Sequence, residues 1–357
     1  MISTINANNF EKGRGAQLNP KNRFVKQEYV QEQIESVDIW EQEKKETEYI
    51  FDHSKNVVYK IESPDVGMQL SLNPYQGCEH GCIYCYARNS HEYWGFSAGK
   101  DFESKIVVKK NAPLLLRKFF DNKNYEPKTI SLSGNTDCYQ PIERKMRITR
   151  NLLEICLEYR NPVGILTKNA LVLRDLDIIQ ELAKLNLVSV ATSVTSLDED
   201  LRRLLEPRTA TYQSRLRIVE TMASNKIPVG IMLAPIIPSI NDSHISKVLK
   251  AAADAGAKWA GYTVVRLNGA IRELFKDWLF KTFPDRATKV WNQISDCHGG
   301  KVNDSRFGSR MAGDGKFAEL IKDQFLLYCK KYKLNESNTK LNTESFRRTN
   351  QKQLSLF

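Results

Sequence analysis

The chain has no apolar run long enough to span a bilayer. VGIMLAPII, 229–237, is the most apolar stretch, far short of the roughly 20 residues a membrane helix needs. The opening residues, MISTINANNFEKGRG, lack the apolar stretch of a secretory signal. The expectation is a soluble, cytoplasmic protein with no membrane attachment. Cysteine is scarce and badly placed for disulfides. There are seven, an odd count, and three fall within eight positions, too close to staple anything. Ligation in a reducing compartment fits better. No periodic self-similarity is visible, which excludes solenoids and propellers. No zinc-finger, RRM or KH signature is present.

What is there begins with size and charge. A chain of 357 residues with 41% hydrophobic content can bury one large core, or one core and a small appendage. Its net charge is +11. That balance suits a solvated basic surface and a polyanionic partner equally well. The cations cluster in KGRGAQLNPKNRF (12–24), RKMRITR (144–150) and RRLLEPR (202–208).

Residues 1–66 read as a polar extension rather than a domain, with EQEKKETE (41–48) solvated and a short strand within VVYKIESPD (57–65). From 67, short apolar runs predict six strands: MQLSLN (68–73), TISLSG (129–134), VGILTK (163–168), LVSVATSV (187–194), PVGIMLAP (228–235) and WAGYTVVRL (259–267). Helical periodicity falls between them in 142–159, 173–185 and 245–252, where apolar residues recur on one face. Such alternation makes an α/β protein with a parallel sheet, flat or closed into a barrel, and places ligands at the strands' C-terminal ends. A core over 67–282 is followed by a helical cap over 283–333, with helices at 285–297 and 316–331 around a Gly-rich stretch at 299–315. The polar composition from 334 to 357 predicts a disordered tail.

GCEHGCIYCYA (77–87) places Cys78, Cys82 and Cys85 directly after the first core strand. Structural zinc needs four closed ligands, for which His80 or His91 could supply the fourth. Electron-transfer clusters also use four cysteines as a rule. Three thiolates on a cubane leave one iron open to a small molecule, which suits chemistry better. Gly77 and Gly81 let the backbone fold tightly there.

The C-x3-C-x2-C spacing resembles the cluster motif of the radical S-adenosylmethionine (SAM) superfamily. NPYQGCEHGCIYCYAR, SLSGNTDCYQPIER, LTKNALVLRDLD, SVTSLDEDLRRLLEPR and VGIMLAPIIPSIND follow in the order of its spore photoproduct lyase-like branch, over about residues 12–330. The resemblance implies an incomplete (β/α)6 TIM-like barrel and a [4Fe–4S] cluster on Cys78, Cys82 and Cys85. It implies reductive cleavage of SAM to a 5′-deoxyadenosyl radical, an electron donor such as flavodoxin or ferredoxin, and DNA lesion repair. Thr136, Lys168 and Ser193 fall at its SAM-contacting strand ends, with Arg208 as a further SAM or substrate contact. Tyr84 and Tyr86 would pack on cluster or adenine, and Asp137 would orient the loop. The branch's hydrogen-donating cysteine is matched by Gly134; Cys138, four residues on, is the nearest substitute donor or a buried bystander. Arg144, Lys145, Arg147 and the N-terminal basic stretch are candidate phosphate contacts.

The chain ends in QLSLF, with Gln353, Leu354, Leu356 and Phe357 resembling the pentapeptide that docks bacterial repair proteins on the DNA sliding clamp. Other readings are a radical SAM modifier of RNA, protein or a small molecule, a zinc-stabilised nucleic-acid-binding protein, and a SAM-free clamp adaptor.

Overall fold

The apolar and β-branched runs become strands in the computed structural model, which describes residue 11 and residues 13–24, 46–337 and 340–348. The strands are β1 Glu48–Phe51, β2 Val58–Lys60, β3 Leu70–Leu72, β4 Tyr75–Gln76, β5 Lys105–Val108, β6 Ile130–Leu132, β7 Val163–Thr167, β8 Val188–Ser193, β9 Val229–Ile236 and β10 Trp259–Val264. The helices are α1 Arg88–His91, α2 Lys100–Ser104, α3 Ala112–Asp121, α4 Glu143–Met146, α5 Ile148–Tyr159, α6 Leu176–Lys184, α7 Glu199–Leu205, α8 Tyr212–Ser224, α9 Ile245–Asp254, α10 Ile271–Thr282, α11 Ala287–Asp296 and α12 Lys316–Lys331.

All six expected core strands are present. One seven-stranded sheet runs β10-β9-β8-β7-β6-β3-β2. β3 and β6 through β10 pair in parallel, and β2 adds an antiparallel edge. Parallel strands covered on both faces need apolar residues throughout, and Leu72, Ile130, Leu132, Val163, Val188, Val190 and Ile231 are buried. The helices turn apolar faces to the sheet; α6 buries Ile178, Ile179 and Leu182. Asp198 caps α7 by accepting from the N–H groups of Asp200 and Leu201, and Thr211 caps α8 through Ser214. These caps end the loop that follows β8 and the turn that joins α7 to α8.

The architecture is a partial TIM barrel, and its open side has a specific filling. Among the described residues no ladder joins β10 to β2. The Gly-rich stretch lies across that seam. The Met311 carbonyl accepts from Val264 N–H at 2.8 Å, and Gly308 N–H donates to Asp65 Oδ1 at 2.7 Å, where Arg310 also pairs.

Three findings depart from the sequence reading. A second sheet, β1-β5-β4, packs beside the barrel, so part of the N-terminal extension belongs to the fold. The basic stretch at 13–24 is packed against the fold and not free of it: Arg14 donates to the Glu103 carbonyl and Arg23, half exposed, pairs with Glu92 at 3.1 Å. The tail expected to be disordered from 334 is packed over 334–337 and 340–348. Asn335 bonds both polar groups of Ala260's backbone, and Asn342 N–H reaches the Asn186 carbonyl at 2.8 Å. Phe346 sits among Phe120, Tyr125 and Tyr159. QLSLF, with Gln353, Leu354, Leu356 and Phe357, lies outside the described residues. No described helix is long and apolar enough to cross a membrane.

Candidate active site at the cysteine loop

The loop leaves the C-terminal end of β3 by way of β4. Gly77 and Gly81 have φ of +80° and +68°, a left-handed backbone that glycine alone adopts without cost. Neither has space for a side chain. A Cβ would come within 2.8 Å of the Lys105 carbonyl at Gly77, and within 2.8 Å of Glu103 Oε2 at Gly81. Cys78 N–H donates to the Phe102 carbonyl at 2.8 Å, and Ile83 N–H to the Leu205 carbonyl at 3.1 Å. The loop is thereby fixed to α2 and to the end of α7.

Cys78 and Cys82 are buried and Cys85 is half-buried. Burial pushes all three thiols up, Cys82 to about 12; negative charge pushes two of them further, Asp137 and the other two cysteines acting on Cys78, and Glu206 and Cys85 on Cys82. Cations oppose this: Lys168 lowers Cys82, and Arg88 and Lys168 lower Cys85. Three thiolates so placed need a soft cationic group to hold them ionised. No three His, Cys, Asp or Glu side chains among the described residues converge as on a single metal ion. Of the two candidate fourth zinc ligands, His80 has polar partners of its own, whereas both ring nitrogens of the buried His91 lack a hydrogen-bond partner among the described residues. His80 faces Asp137 at 3.3 Å and Asn169 at 3.4 Å, and His91 packs against Phe96 and Phe102. Three mutually close soft donors, a glycine-tight loop and facing cations suit a multi-iron cluster with one open corner better than closed zinc.

The loops after the next strands converge on this one. Asp137, after β6, accepts from Thr167 Oγ1 at 2.8 Å, Lys168 N–H at 2.8 Å and Tyr139 N–H at 2.8 Å. Burial pushes Asp137 up, but His80 and these donors outweigh it and hold the carboxyl below its usual range. Lys168 carries its ammonium 5.9 Å from the Tyr84 ring centroid. Burial and Arg215 work against that charge; Cys82 and Glu206 outweigh them and raise its pKa. Tyr84 donates its hydroxyl to Glu206. Tyr86 is half exposed and donates to the Gly134 carbonyl at 2.5 Å.

The other expected contact residues have these partners in the structure. Thr136 is buried and donates its hydroxyl to the Tyr75 carbonyl at 2.6 Å, so its hydrogen is already committed. Ser193 is buried, its carbonyl held by Arg215 at 3.0 Å. Arg208 bonds the Glu103 carbonyl at 3.1 Å. Cys138 is fully buried in the main core, its backbone tied to Ser133 and Thr149. At Gly134 a Cβ would meet Ser71 Oγ at 2.4 Å, so no larger residue fits there as the loops stand. Arg144, Lys145 and Arg147 are exposed, and their side chains show no hydrogen bond or ion pair among the described residues.

Sequence reading missed two buried ion pairs that brace the site. Glu206 and Arg215 pair at 2.5 Å, and Arg88 and Glu103 at 2.5 Å, all four fully buried. Arg88 also bonds the carbonyls of Cys82, Ala98 and Gly99. Removing one partner of such a pair typically costs about 3–5 kcal/mol. Arg88 closes the quoted cysteine motif and Glu206 shares EPR with Arg208, which was the available signal. Two cavities, of 860 and 650 Å³, lie apart from the cysteines, one under β8–β10 and one between Asp198 and Arg286.

The family model described as the radical SAM superfamily matches residues 72–252. An uncharacterized protein of Mycobacterium tuberculosis is 34% identical over 221 residues, 61% of this chain and 65% of that protein. The chain thus spans just under two thirds of that relative. In fold it is similar to spore photoproduct lyase complexed with dinucleoside spore photoproduct, with TM-score 0.58 and 15% identity over 80% of this chain and 79% of that one. A variant of that lyase with bound AdoMet and the same dinucleoside gives TM-score 0.57 at 15% identity, with the same shares covered.

Proposed function

This chain belongs to the radical SAM superfamily, and from that membership we propose that it is an enzyme that cleaves SAM reductively at a [4Fe–4S] cluster and acts on a lesion in DNA. The observation that carries the reading is the loop of three close, buried thiols at the C-terminal ends of a partial barrel's strands. Cys78, Cys82 and Cys85 would hold the cluster, and SAM would lie toward Lys168. When bound, these groups supply a reducing electron, cleavage of a sulfonium and abstraction of a hydrogen atom from the substrate.

The chain's own residues do the positioning. Gly77 and Gly81 allow the loop to wrap a cluster closely. Arg88 and Lys168 offset thiolate charge, and the Lys168 ammonium can receive a carboxylate. Asp137 locks the ends of β6 and β7 together, so that Lys168 keeps its direction. Buried apolar and ion-paired surroundings exclude water.

DNA is favoured by the exposed Arg144, Lys145 and Arg147, by the net charge of +11, and by the nucleoside named for the lyase of similar fold. Gly134 in place of a thiol argues that the reaction is not simple photoproduct reversal with an internal hydrogen donor. The test is anaerobic reconstitution with iron and sulfide, reduction, and an assay for 5′-deoxyadenosine, with undamaged and irradiated DNA. The reading expects product from wild type, none from Cys82→Ala, and stimulation by irradiated DNA at low salt. Stimulation by RNA or a protein extract alone would move the substrate to those classes. A colourless protein holding zinc, without product, would sink the enzyme reading.

A further inference from the structure

The segment Arg14–Pro20 lies outside the stretch matched by the family, 72–252, yet it is built into the back of the cysteine loop. Its centre, Gly15 to Gln17, is buried. The Gly15 and Ala16 N–H groups donate to the two oxygens of Glu103 at 3.1 and 2.8 Å. Glu103 is the buried partner of Arg88, whose Nε bonds the Cys82 carbonyl at 3.0 Å. One carboxylate thus joins the segment to a guanidinium that holds the cysteine backbone. Contact is closer still at two glycines. A Cβ at Gly15 would stand 1.8 Å from the Gly81 carbonyl oxygen, and a Cβ at Gly99 would stand 2.0 Å from the Leu18 carbonyl oxygen. Ala16 shares an apolar cluster with Cys82, Ile83 and Ala98. Farther along, Pro20 accepts from Ser97 Oγ at 2.8 Å, and Asn22 donates to the carbonyls of Glu92 and Phe96.

We propose that residues 14–20 are a sealing strap of the cluster site, with Gly15 as the position on which its seating depends. The proposal rests on the cluster reading above. The strap covers the outer side of the Cys82–Cys85 backbone, so that water and oxygen reach a bound cluster only from the barrel mouth. Solvent access and outer-layer contacts govern how firmly such a site holds its metal. The strap adds no ligand; Gly15 and Glu103 are positioning residues.

Two substitutions unseat the strap from opposite sides. Gly15→Ala alters the strap itself, and Gly99→Ala alters the wall it rests on. Gly67→Ala is the control, because a Cβ there meets nothing within 4 Å. Each protein is reconstituted anaerobically with iron and sulfide. Iron content and the decay of cluster absorbance in air are then followed, with circular dichroism and thermal melting alongside. Both strap variants should lose the cluster about 10-fold faster than wild type, with the fold retained and the control unchanged. A wild-type lifetime in either variant overturns the proposal. So does global unfolding of both, since the strap would then support the domain and not the site. Failure of wild type to take up a cluster would sink the functional reading, and the proposal with it.

Discussion

The two ends of the described chain are fastened at opposite ends of the barrel, and by different chemistry. On the cysteine side, residues 14–20 are held by a fully buried carboxylate paired with a fully buried guanidinium. On the opposite side, residues 340–348 are held by one aromatic ring, by side-chain amides, and by arginine donors on exposed carbonyls. Arg347 reaches the Glu158 carbonyl at 3.0 Å, and Arg348 reaches Asn122, Lys123 and Tyr125. Buried ion pairs contribute little net stability but hold one geometry. Apolar contacts stabilise while tolerating small displacements. Geometry is therefore concentrated where chemistry is proposed, and plain adhesion suffices at the base.

The largest expected effect tests which end carries the reaction. Cys82→Ala should reduce 5′-deoxyadenosine formation to background while the melting temperature stays near wild type. Retained product would remove the cysteine loop from the chemistry.

Acid should act on the cysteine side next. Burial pushes His91 from an ordinary 6.5 down to about 4. The unfolded chain therefore takes up this proton first. The stability tied to neutral His91 is complete above pH 6.5 and is lost as pH falls toward 4. Urea unfolding of wild type against His91→Leu should show that dependence shrink by about 3 kcal/mol between pH 7 and 4. Parallel curves for the two proteins would contradict it.

At the base, Phe346→Ala should cost about 2 kcal/mol of unfolding free energy and leave iron content after reconstitution unchanged. If iron content falls as well, the two ends are coupled and the contrast fails. The smallest effect concerns the surface. Replacing Arg144, Lys145 and Arg147 together with Gln should lower the salt slope of DNA binding by about 3 without changing SAM cleavage in the absence of DNA. An unchanged slope would move the phosphate contacts elsewhere.

The barrel was legible because its strands are short apolar runs and its helices carry one-sided apolar periods. The cysteines were legible through spacing alone. What escaped depends on partners distant in sequence. KIVV at 105–108 is an evident strand pattern, but nothing local pairs it with Glu48–Phe51. Arg88, Glu103, Glu206 and Arg215 are charged, and charge ordinarily predicts exposure; only the fold supplies the matching ion. The segment from 334 reads as polar because asparagine and arginine hold much of it through backbone groups, with Leu334 and Phe346 as apolar anchors. Thr136 was correctly seen as a strand-end hydroxyl, yet its hydrogen bond to Tyr75 depends on how β4 turns back.

The base closure also sets a direction. The chain passes Arg348 beside the carbonyls of Asn122 and Tyr125, on the face away from the cysteines. A partner gripping the last residues would hold the molecule by its floor and leave the mouth of the barrel turned outward. Anything attached beyond Arg348 would then stand opposite the cysteine loop, and the open mouth would face away from the point of attachment.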